Sequence, residues 1–115
     1  VNVVDFGADK KGKKDSSKAI QKALDYAIDN GSNSVQIKVV VPKGKYRIDK
    51  LLEIYSNTWL YLEDGATIVR NFDKGCMIKN AQANGAGGYG SERNIVIEGA
   101  VGTATLRLLQ DHFLI

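Results

Sequence analysis

The sequence predicts a mainly β chain opened by a single helix, and its strand pattern leans toward a coil of parallel strands over a sandwich or barrel. Three observations carry this. Ile20, Ala23, Leu24, Ala27 and Ile28 recur at i, i+3, i+4, i+7 and i+8, one face of an α-helix, and this is the one helix the pattern predicts. From Val35 onward the apolar period falls to two, in short runs at close intervals. Tight Asn-Gly or Asp-Gly turns are scarce between those runs, Asp64-Gly65 being the exception, so simple hairpin pairing is weakly encoded. One helix followed only by strands also argues against a doubly wound α/β fold, which needs alternating helices.

Taken in order, Val1 to Phe6 read as a short strand ended by Gly7. KKGKKD, with Lys10, Lys11, Lys13 and Lys14 around Gly12, reads as an exposed loop. Asp15 or Ser16 is the expected helix N-cap, because either side chain can accept a first-turn amide. Asn30-Gly31 is the expected stop, since both residues tolerate the left-handed conformation. VQIKVVV then places Val35, Ile37, Val39 and Val41 on one face, and Pro42 and Gly44 break the run. The β-rich pieces YRI, LLEI, TWLYL, ATIV, MIK and NIVIEG follow. Turn signals separate them at Asp49-Lys50, Ser56-Asn57, Asp64-Gly65 and Asp73-Lys74-Gly75, and in the glycine-rich NAQANGAGGYGSE. That loop is no phosphate cradle, because neither a helix nor a Lys-Ser/Thr pair follows it.

The totals bound the function classes. At 115 residues the chain is one domain at most, and 43% hydrophobic with 25% charged residues is ordinary for a soluble globular chain. No apolar run is long enough to cross a bilayer, so no membrane partner is expected. A net charge of +3 concentrates in the lysine cluster. Such a cluster can attract an acidic polymer, but without interleaved aromatics or a helical face it argues against nucleic acid. The solvated loop is the plainer account. The lone Cys76 cannot form an internal disulfide and is expected to be a small core residue.

The order of the pieces is more specific than any one of them. DFGA, a polar loop, DSSKAIQKAL, VVVPKGKY, SNTWLYLEDGATI and NIVIEG together resemble the N-terminal part of the pectin-lyase-like, right-handed parallel β-helix family. Among its members the likeness is closest to polygalacturonase-type glycoside hydrolases. The resemblance implies a mainly β fold, the start of a solenoid with an N-terminal capping helix, over residues 1–101. The helix would lie over the open first coil and cover its apolar interior. Asp5 and Asp15 would be backbone or capping partners, and Gln21 a polar residue near the helix start. Tyr46 would pack into the coil after the Pro42 turn. Val39, Val41, Ile48, Leu52, Ile54, Leu60, Leu62, Ile68, Ile78, Ile95 and Ile97 would stack inside, one layer per coil. Trp59 and Tyr61 would alternate with that face, structural in the first place and exposed enough to meet a sugar in the second.

The resemblance also implies what is missing. Hydrolases of the family use carboxylates in motifs of the N-T-D, D-D, G-H and R-I-K kind, one acid protonating the leaving oxygen and another activating water. None of these motifs occurs here. The candidate carboxylates are Glu53, Glu63, Asp64, Asp73, Glu92 and Glu98, and most fall at turns or outward strand positions, where a solvated acid is expected. His112 stands alone in the tail, and no Cys/His cluster offers a metal site. No catalytic residue, cofactor or metal is therefore assigned. The reading is an N-terminal piece of a carbohydrate-active protein, secreted or at the cell surface, facing a polysaccharide of acidic or pectin-like type. Self-association through its exposed β-helix end is expected. The alternative is a non-catalytic assembly or carbohydrate-binding module of tailspike type.

Residues 102–115 depart from the pattern. The family continues NIVIEG toward G-x-W-[DN]-G-[DN], whereas this chain continues AVGTATLRLLQDHFLI. Restoring one T ahead of the Gly102 codon makes the next codon TGG, tryptophan, and permits W-N-G-N where the family would have it. A frameshifted tail is therefore expected from Gly102. The competing account is a terminal cap, with Leu106, Leu109 and Phe113 near helical spacing.

Overall fold

The computed structural model describes residues 1–73, 75–81, 94–99 and the backbone of 105–108. A 3-10 turn at Val3–Phe6 precedes β1 (Lys11–Asp15), α1 (Ser17–Asn30), β2 (Ile37–Val41), β3 (Gly44–Ile48) and β4 (Leu52–Ile54). These are followed by β5 (Thr58–Leu62), β6 (Ala66–Arg70), β7 (Ile78–Asn80), β8 (Ile95–Gly99) and β9 (Thr105–Leu108). The named strands pair in parallel throughout. They form three sheets ordered β2-β5-β8, β1-β3-β6-β9 and β4-β7. Each pass of the chain therefore lays one strand in every sheet beside the strand of the pass before. This is the start of a parallel β-helix.

Register makes the interior. Val39 pairs with Leu60 and Leu60 with Ile97. Tyr46 pairs with Ile68, and Leu52 with Ile78. Since adjacent strands lie about 4.8 Å apart, like side chains stack directly upon one another. Val39, Val41, Ile48, Leu52, Leu60 and Ile68 are fully buried, with Ile54 and Leu62 nearly so. Ile78 and Ile95 are half-buried and Ile97 is 47% exposed, because β8 is the outermost described strand of its sheet and Leu60 covers Ile97 from one side only. Tyr46 is buried, and its hydroxyl donates to the Pro42 carbonyl at 2.8 Å, fixing the β2–β3 corner.

Helix α1 covers the first coil, with Ile20, Ala23 and Leu24 fully buried against the 3-10 turn, β2, β4 and β5. Ile28, expected on that face, is 51% exposed, whereas Ala27 beside it is buried. Asp15, not Ser16, supplies the side-chain cap: its carboxylate accepts from Ser17 N at 2.9 Å. Ser16 instead accepts from Asp9 N at 2.8 Å. Gly31 is extended at φ −93°, so left-handed freedom is not what the helix stop uses. It uses space: a Cβ there would fall 2.9 Å from Ala27 O and 3.0 Å from Asn57 Cβ.

Other segments differ from the sequence reading for equally local reasons. Only Val1 and Asn2 are strand-like, with Val40 N donating to Val1 O and Asn2 bridging Val40. The Asn2 side chain then accepts from Val4 N and turns the chain into the 3-10 helix, taking the capping role expected of Asp5. KKGKKD is no loop but β1, the outer strand beside β3. Exposed lysines on such an edge discourage pairing with another chain. Val35 is half exposed, short of β2. Cys76 is exposed, contrary to the expected core position. At Leu106 the helical spacing gives way to β9, paired in parallel with β6. Leu109, Phe113 and the NAQANGAGGYGSE loop beyond Ala81 lie outside the described residues.

Candidate functional site

Among the described residues, the carboxylates singled out from the sequence, Glu53, Glu63, Asp64, Asp73 and Glu98, do not converge. Glu53 on β4 lies 3.8 Å from Lys79 on β7, while Glu98 on β8 accepts from Trp59 Nε1 at 3.0 Å, on a different sheet. Glu63 and Asp64 are exposed in the β5–β6 turn, and Asp73 is exposed after β6. Glu92 and His112 lie outside the described residues. Among the described residues no three His, Cys, Asp or Glu side chains gather where a metal ion could be held.

The outward face of β2-β5-β8 carries the aromatic pair. Lys38 Nζ lies 4.4 Å from the ring centroids of both Trp59 and Tyr61, which meet edge-on at 6.0 Å and 72°. A lysine over an exposed ring is worth about 0.5–1 kcal/mol. Lysine and indole are thus already engaged, the one by two rings and the other by Glu98. The face is a brace across three strands, which agrees with the structural role expected first for Trp59 and Tyr61.

A shallow groove of about 400 Å³ runs between α1 and β4, lined by Gln21, Asp25, Lys50, Glu53, Tyr55 and Lys79. The decisive contact here was not legible in sequence. Gln21 Nε2 donates to Glu53 O at 2.9 Å, and Glu53 N donates to Gln21 Oε1 at 2.9 Å. One side chain so satisfies both backbone groups on the free edge of β4, as a neighbouring strand would. On the opposite edge Leu52 N donates to Met77 O and Ala81 N to Ile54 O. Asp15 and Ser17 repeat the device one corner earlier, accepting from Asp49 N at 3.0 and 2.8 Å. Burial pushes the Asp15 carboxyl up, but the bonds from Ser17 and Asp49 outweigh it and hold it below the usual carboxylate value.

Arg70 is the other unforeseen residue, only 6% exposed on β6. It donates to Phe72 O at 2.6 Å and Gly75 O at 2.7 Å and lies 5.0 Å from the Phe72 ring centroid. A buried guanidinium spent on two carbonyls orders a turn; it offers nothing to a substrate.

This geometry is that of a capped solenoid. The family model described as rhamnogalacturonase A/epimerase, pectate lyase-like, matches residues 1–106. The chain belongs to that family. Among solved structures, the family 28 exopolygalacturonase of Yersinia enterocolitica is similar at 30% identity and a TM-score of 0.67. The match covers 86% of this chain but 19% of that one. No curated protein matches the chain. Within this pectate lyase-like family the likeness is to a polygalacturonase.

Proposed function

We propose that the chain is the N-terminal cap and first coils of a carbohydrate-active enzyme of polygalacturonase type, which lacks the catalytic coils of such an enzyme. The observation that carries this is the partial match: the chain corresponds to 19% of the length of the exopolygalacturonase. The separate engagement of Glu53 and Glu98 supports it, because hydrolysis needs two carboxyls flanking one bond. On this reading the parent acts on a pectin-type polysaccharide, outside the cell or at its surface, and the chain alone is inactive. On the same reading residues 102–115 are out of frame, although the family match runs to 106 and β9 pairs in parallel with β6, and the outer edge of β8, with Ile97 half uncovered, is where copies associate.

Reducing-sugar release from polygalacturonate by the 115-residue chain tests the first part, and no release above a heat-treated control is expected. Turnover would overturn the reading. Nucleotide sequence through the Gly102 codon tests the tail. Later coils with their carboxylate motifs in a shifted frame are expected, and their absence in every frame would leave the non-catalytic module. Sedimentation velocity reads association, where a monomer at high concentration would remove that part alone.

A further inference from the structure

The lysine cluster is the feature that neither the cap nor the family likeness absorbs, and the fold enlarges it. Pairing of β1 with β3 sets Lys11 beside Lys45, on strands about 4.8 Å apart. The β2–β3 corner adds Lys43, and Lys10 O accepts from Lys45 N at 2.8 Å. Lys10, Lys11, Lys13, Lys14, Lys43 and Lys45 are all exposed. Residues far apart in sequence thus form one basic rim.

Two structural facts separate this rim from a merely solvated loop. The first is a pinned backbone. The Asp9 carboxylate accepts from Lys11 N at 3.0 Å, Lys13 N at 2.9 Å and Lys14 N at 2.8 Å, and that of Asp15 accepts from Ser17 N and Asp49 N, so both acids of residues 9–15 are turned onto the main chain. The second is the seating of the lysine stems on glycines. A Cβ at Gly65 would fall 2.9 Å from Lys43 Cγ, and one at Gly12 would fall 3.3 Å from Lys45 Cγ. Both glycines have positive φ, 83° and 73°. Bare backbone lets the methylene stems lie flat while the ammonium groups reach solvent. Less rotamer freedom is then left to lose when an anion binds.

From this we infer that the rim formed by β1 and the β2–β3 corner is a docking surface for a de-esterified polyuronate chain. The occupant follows from charge complementarity and rests on the pectin-type substrate proposed above. A row of ammonium groups with no aromatic face between them grips a line of carboxylates and gives a neutral sugar nothing to stack on.

Affinity electrophoresis of the full chain in gels containing polygalacturonate tests it, with fully methyl-esterified polymer and DNA as parallel gels. Retardation by polygalacturonate alone is expected, falling as ionic strength shortens the reach of the charges. Lys43→Gln/Lys45→Gln should weaken it roughly fivefold per lysine removed, the scale of one lysine at a densely anionic surface. Lys18→Gln/Lys22→Gln, on the exposed side of α1, removes the same charge elsewhere and should leave binding within about twofold of wild type, as a screened distant charge would. Urea midpoints confirm that both variants fold. Equal weakening by the helix pair, equal retardation by esterified polymer, or tighter retardation by DNA would each overturn the proposal. A wrong substrate class for the parent would show differently, as binding of the rim to polygalacturonate with no parent turnover of it.

Discussion

Replacing Gln21 with alanine isolates the contact on which closure of the first coil turns. The side chain donates to Glu53 O and accepts from Glu53 N, each at 2.9 Å, and also donates to Asp25 Oδ1 at 2.9 Å. Alanine is the better helix former, so propensity alone would stabilise α1 slightly. Against this stand two lost backbone bonds at about 1 kcal/mol each. Water reaching the open groove keeps the penalty for the bared groups at the low end. The net expectation is a loss of about 2 kcal/mol. With a slope of about 2 kcal/mol per molar for a chain of this size, the urea midpoint should fall by roughly 1 M. Gln21→Glu keeps the acceptor but sets a carboxylate against Glu53 O and Asp25, and should do no better than alanine. Lys22→Ala, one residue on and exposed, sets the baseline within about 0.5 kcal/mol. A Gln21→Ala midpoint indistinguishable from that of Lys22→Ala would refute the edge-closing argument.

Three further outcomes are expected. Leu60→Ala should cost about 2–5 kcal/mol as a cavity between Val39 and Ile97, whereas Ile28→Ala, on a half-exposed side chain, should stay within about 0.5 kcal/mol by urea titration. Gly31→Ala should lower the thermal midpoint although its backbone is ordinary, because the new methyl meets Ala27 O and Asn57 Cβ. Bonds from Lys11, Lys14 and Lys13 amides hold the Asp9 carboxyl below its ordinary 3.8, so the ionised form is favoured in the fold. That contribution is complete above about pH 4 and is lost as pH falls through the lowered value. Asp9→Asn should flatten the acid limb of a stability–pH profile and leave its plateau shape above pH 5 unchanged.

The sequence by itself determined the order of elements, because period and turn chemistry are local properties. The single 3.6-period stretch became α1, and each β-rich run from YRI to NIVIEG became one of the strands β3 to β8. Alternation also named the stacked interior correctly from Val39 through Ile68, since a side chain's face within a strand depends only on parity. Where a segment's state depended on a distant partner, the sequence was mute or misleading. KKGKKD is a strand because β3 lies beside it, and Gln21 closes β4 because α1 lies across residues more than thirty positions away. Ile28 is apolar and in phase yet uncovered, for burial is decided by what packs opposite, which periodicity does not contain. The lysine rim has the same origin: four of its members are neighbours in sequence, and only parallel pairing brings Lys43 and Lys45 to them. Local conformational preference is written residue by residue, whereas edges, covers and charge clusters are properties of the stack.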